Sequence, residues 1–95
     1  MLHILTKGPD SDVARQLQQA IADDDAIVLI EEGVLAALDG RWEGWTLYKS
    51  RIYLLAEDVA AWGLGELIDS ETFATVDMQG FVGLTEQHTQ TLTWY

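Results

Sequence analysis

Six residues set the first chemical question: Lys7, Glu31, Glu32, Glu57, Asp58 and Asp77 all fall at the ends of short apolar runs. Carboxylates gathered around one lysine could hold a divalent cation through oxygen ligands, or move protons as acid and base. If the runs are parallel strands, their carboxyl ends are where such a fold binds ligands. The same acids also stand where helices are expected to begin. Unpaired N–H groups and the positive end of the helix dipole favour negative charge there. Capping accounts for every one of them without a ligand, and no spacing among them matches a metal-binding loop.

Other candidates carry less chemistry. The Lys7-Gly8-Pro9 turn could cradle an anion, but Asp10 and Asp12 compete for the same N–H groups, and the glycine spacing of a phosphate loop is absent. His3 lies inside an apolar run and His88 on an apolar helical face, at opposite ends of the chain, which reads as packing rather than metal ligation. Ser11, Ser50 and Ser70 sit in no nucleophile-elbow context. The chain has no cysteine. That removes disulfides, thiolate metal sites and any cysteine nucleophile.

The elements that would position these groups follow from periodicity. Leu2 to Thr6 reads as a strand closed by Lys7-Gly8-Pro9. Asp10-Ser11-Asp12 opens a helix with Val13, Leu17, Ala20 and Ile21 on one face. Ala26 to Ile30 is apolar without alternation, as in strands covered on both faces. A short helix carrying Val34, Ala37 and Leu38 is expected to end at Gly40, and residues 41–50 to be irregular. Ile52 to Ala56 reads as a third strand. A helix opened by Glu57-Asp58 follows, with Val59 and Trp62 at its periodic positions, stopped by Gly63 and Gly65. Thr72 to Val76 is a weaker fourth strand. Asp77 starts a helix using Phe81, Leu84, Thr85 and His88, and Thr89 to Tyr95 is a fifth strand.

Strand and helix alternate throughout, with no internal repeat and no linker. The expected fold is α/β: one domain over residues 1–95, with a mostly parallel five-stranded sheet and helices on both faces.

Composition narrows the function. The 95 residues include sixteen acids against five bases, a net charge of −11. Phosphate backbones and anionic membrane surfaces are repelled by such a field, so direct nucleic-acid binding by this chain alone is not expected. No apolar stretch approaches a membrane span, and the N-terminus lacks the basic start and length of a signal peptide; the expectation is a soluble, cytoplasmic protein. Four tryptophans are many for a core this small. Trp42 and Trp45, with Trp94 and Tyr95 at the terminal strand, are candidate anchors for another subunit.

An ordered set of segments resembles the TusB/DsrH family. These are Met1-Leu2-His3-Ile4-Leu5 followed by Lys7-Gly8-Pro9; Val28-Leu29-Ile30-Glu31-Glu32-Gly33-Val34; Ile52-Tyr53-Leu54-Leu55-Ala56-Glu57-Asp58 with Gly63-Leu64; and Phe81-Val82, Leu84-Thr85 and His88 before Trp94. The set spans essentially the whole chain. The resemblance implies a DsrE-like fold and a subunit of a sulfur-relay heterohexamer with TusC/DsrF-like and TusD/DsrE-like partners. In the Tus branch that relay supports 2-thiolation of the tRNA wobble uridine; in the Dsr branch it serves dissimilatory sulfur oxidation. The persulfide-bearing cysteine belongs to the TusD/DsrE-like subunit. Some DsrH-type members carry a cysteine of their own, and this chain departs from them, which favours the non-catalytic Tus-like role. No catalytic residue, cofactor or metal ligand is carried over. A stand-alone small-molecule or metal-binding domain using the acidic residues is the rival expectation.

Overall fold

The computed structural model describes residues 1–68 and 71–95. Its elements run β1 (Leu2–Leu5), α1 (Asp12–Ala20), β2 (Ala26–Leu29), a 3₁₀ segment (Glu31–Leu38), α2 (Glu43–Tyr48), a 3₁₀ turn (Lys49–Arg51), β3 (Ile52–Leu55), α3 (Ala56–Ala61), β4 (Ala74–Val76), α4 (Met78–Gln87) and β5 (Thr91–Trp94). The five strands form one sheet in the order β4-β3-β2-β1-β5, every pair parallel.

This order explains how the helices are distributed. From β1 to β4 the chain steps always in one direction, so right-handed crossovers place every connection on one face. The return from β4 to β5 runs the opposite way, past β3, β2 and β1, and the same handedness puts α4 on the other face. The register agrees. His3, Ile27, Ile52 and Leu92 share the first face with Leu5, Leu29, Leu54 and Trp94, whereas Ile4, Val28 and Tyr53 share the second.

Against the first face pack Ala14 and Leu17 of α1, Val34 and Ala36 of the 3₁₀ segment, Trp42 and Trp45 around α2, and Val59 and Leu64 around α3. On the second face Leu2, Ala26 and Val28 meet Leu84 and Phe81 of α4, with Ile30, Tyr53 and Val76 around them. Helices therefore cover both faces, but unequally. All four residues of β1 and of β2 are buried, which is why neither strand alternates in sequence.

Local signals set several boundaries. The Ser11 hydroxyl accepts from the Ala14 N–H at 3.1 Å and donates to the Gly8 carbonyl at 2.7 Å, fixing the entry to α1. Asp77 accepts from the Gly80 N–H at 2.7 Å and starts α4. Gly33 is required by contact: a Cβ there would stand 2.4 Å from the Leu5 carbonyl oxygen, because the turn after β2 closes onto the end of β1. Arg51 reaches back from the start of β3 and donates to the carbonyls of Ala22 at 3.0 Å and Asp25 at 2.8 Å.

The stretch 41–50, expected to be irregular, instead holds α2 and the start of a 3₁₀ turn. Trp42, Trp45 and Tyr48 recur every third residue and turn toward the core, and Gly44 leaves room for the Trp42 ring, 2.6 Å from where a Cβ would lie. The helix carrying Val34 is 3₁₀ and stops at Leu38. Trp62 caps α3 and is exposed rather than packed inward. β4 and β5 are shorter than expected, and Phe73 packs against Trp45 rather than extending β4. No helix among the described residues is long and apolar enough to cross a membrane.

Candidate functional site

Each acid at the carboxyl ends of the strands has a defined place. The Asp58 carboxylate, at the start of α3, accepts from the Glu31 N–H at 2.7 Å. Glu57 accepts from the Met78 N–H at 3.0 Å, at the first residue of α4. Asp77 caps its own helix. Two of these acids therefore cap a different element from the one they open, and this pins the crossovers after β2, β3 and β4 to one another at that end of the sheet. Glu31 has a left-handed backbone, φ 52°, with its N–H held by Asp58. Lys7 and Glu32 are exposed. Among the described residues no three His, Cys, Asp or Glu side chains are grouped as they would need to be for a metal ion. Glu57, Asp58 and Asp77 thus act on backbone N–H groups and fix the loops at that end of the sheet.

A second polar group lies inside the sheet, toward the amino ends of β1 and β2. The His3 ring is 1% exposed, with Nε2 2.8 Å from the Asp25 carboxylate. The Trp94 indole N–H donates to Nδ1 at 3.0 Å. An indole nitrogen only donates, so Nδ1 carries no proton and His3 is the Nε2–H tautomer, donating to Asp25. Asp25 also accepts from the Met1 ammonium and from the Ala22 N–H, both at 2.9 Å. Burial alone would raise the Asp25 pKa. The hydrogen bonds from the Met1 ammonium, His3 and Ala22, with the ammonium's charge, outweigh it and hold the carboxyl well below the usual carboxylate range.

This His–Asp pair is not arranged for catalysis. In a nucleophilic triad one ring nitrogen meets the acid and the other meets the nucleophile. Here Asp25 and Trp94 occupy both nitrogens, and the ring is sealed from solvent. The group locks β5 and the turn before β2 onto β1. Its sequence signal was slight: a histidine in an apolar run and one acid of a three-acid turn, with no spacing to link either to Trp94. His88 closes α4 as its C-cap residue. Ser11 is a helix cap, Ser50 lies in the 3₁₀ turn, and Ser70 lies outside the described residues.

The four aromatic anchors separate into two pairs. Trp42 and Trp45 are 6% and 8% exposed, packed edge to face at 5.6 Å, with the Trp45 N–H donating to the Ala36 carbonyl at 2.7 Å. Their indoles belong to this chain's own core. Trp94 is half-buried against that core, while Tyr95 is 81% exposed. Only the terminal strand brings candidate anchors to the surface.

A family model described as "DsrH like protein" matches residues 9–91. The chain is 38% identical to the protein named "Protein TusB" of Pectobacterium parmentieri, over 99% of this chain and all of the relative. It is 33% identical to "Protein TusB" of Escherichia fergusonii and 31% identical to that of Escherichia coli O81, with the same coverage. With most of its length matched by the family model, and whole relatives aligned above 30% identity, the chain belongs to the DsrH-like family.

Proposed function

We propose that this chain is a non-catalytic subunit of a cytoplasmic sulfur-relay complex that supports 2-thiolation of the tRNA wobble uridine. In that complex it assembles with TusC/DsrF-like and TusD/DsrE-like subunits as a heterohexamer. The observation that carries this reading is full-length similarity to proteins named TusB in a chain without any cysteine. A persulfide needs a thiol sulfur to hold it, so the transferred sulfur must ride on a partner. The capped carboxylates and the sealed His3 support the same view, since neither group is disposed to act on a substrate. A DsrH-like role in sulfur oxidation differs only in the pathway its partners serve.

The test is sedimentation equilibrium of the chain alone and mixed with TusC- and TusD-like subunits from its own genome, followed by measurement of thiolated tRNA in cells lacking it. A defined mixed complex and loss of 2-thiouridine are expected. A chain indifferent to both subunits would overturn the reading.

A further inference from the structure

Charge is distributed unevenly along this acidic chain. Between Met78 and Tyr95 the single charged side chain is Glu86; all the others precede it. That charge-poor segment forms α4, the one helix on the second face among the described residues, and β5, an edge of the sheet. Its solvent side is apolar or neutral apart from Glu86, exposed in the last turn of α4. Met78 and Val82, one turn apart on α4, are exposed, as are Thr91, Leu92 and Thr93 on β5 and Tyr95 beyond it. Depletion of charge with exposed Met, aromatic and aliphatic side chains is the composition of an interface centre rather than of an ordinary surface.

The strand edge points the same way. β5 pairs with β1 alone. The Gln90 and Trp94 carbonyls accept from Leu2 and Thr6, and the alternation of a parallel ladder turns the Thr91 and Thr93 backbone groups outward. Soluble proteins blunt such edges with lysine, proline, a bulge or a covering element. The opposite edge, β4, is flanked by Glu71 and Asp77. β5 has β-branched and aromatic residues, no charge and no proline.

The charge around this strip selects its occupant. Exposed acids border it at both ends of the sheet: Asp10, Asp12 and Asp77 near the carboxyl ends of the strands, Asp23 and Asp24 near the amino ends. A second copy would bring two chains of net charge −11 together with these borders opposed. We infer that the α4–β5 strip is the docking surface for a different protein subunit, one presenting an uncharged strand edge or apolar strip inside a rim of lysine and arginine. This rests on the relay-subunit reading, in which that subunit is one of the sister chains.

TusC- and TusD-like subunits from the same genome serve as probes. Val82→Lys and Leu92→Lys are compared with Leu47→Lys and Leu67→Lys, which change exposed leucines outside the strip, after melting shows all four folded. Wild type should form the mixed complex, V82K and L92K should weaken it about thirtyfold or more, and L47K and L67K should leave it within about threefold. Added salt should weaken it as well. In the unaltered chain, the Thr91 and Thr93 amides should exchange more slowly once the complex forms. A wild-type complex indifferent to V82K and L92K, with unchanged exchange at those amides, overturns the docking surface and leaves the relay reading standing. A wild-type chain that ignores both subunits overturns that reading and this proposal with it. Self-association through L92K-sensitive contacts overturns the choice of occupant.

Discussion

The Trp94 indole donates its N–H to Nδ1 of His3 at 3.0 Å, joining two residues 91 positions apart. The rings are inclined by 27°, with 6.1 Å between centroids. With Thr6 donating from both its amide and its hydroxyl to the Trp94 carbonyl, this fixes β5 to β1 at one end. The strand that we infer carries the docking surface is thereby held in place before any partner arrives.

Trp94→Phe keeps an aromatic ring and removes the donor, leaving Nδ1 of a sealed histidine without a partner. The expected cost is about 1–3 kcal/mol of unfolding free energy, read by urea denaturation. An unchanged midpoint would show that the His3–Trp94 bond contributes nothing. Trp94 is half-buried here, so it is a poor assembly probe; Tyr95→Ala separates assembly from stability.

Asp25 sets the acid limb of stability. Its folded pKa lies below its unfolded value, so its contribution is fully present above about pH 4, the unfolded value, and declines as pH falls further toward the folded one. Thermal melts should therefore drop below about pH 4. Asp25→Asn should be less stable near neutrality by about 2 kcal/mol or more and should flatten that limb. An equally steep limb in D25N would assign it to other carboxyls.

Gly33→Ala places a methyl against the Leu5 carbonyl, where only the backbone can yield. A loss of about 1–3 kcal/mol is expected, measured by chemical denaturation, with a control at Gly40, whose Cβ position is open. Equal effects at both sites would refute the close approach at Gly33.

Three of the crevice carboxylates, Glu57, Asp58 and Asp77, are engaged by N–H groups, so Ca²⁺, Mg²⁺ and Mn²⁺ at millimolar levels should leave the melting temperature within about 1 °C of the metal-free value. A larger saturable rise would restore a cation site at Glu31, Glu32, Glu57, Asp58 or Asp77. Glu57→Ala and Asp58→Ala should each cost about 1 kcal/mol, as lost helix caps do.

The alternation of short apolar runs with helical spacing determined the strands, α1 and α4, the Ser11 and Asp77 caps and the parallel α/β class, because each depends on neighbours within one or two turns. The lack of a thiol was likewise a fact of composition. Tertiary structure decided what depends on distant partners. It sent the Glu57 and Asp58 carboxylates to the first N–H groups of other elements, turned Trp42 and Trp45 inward around α2, and joined His3 and Asp25 to Trp94. Strand order underlies the last of these: placing β5 beside β1 brings together residues whose separation in sequence carries no local signal.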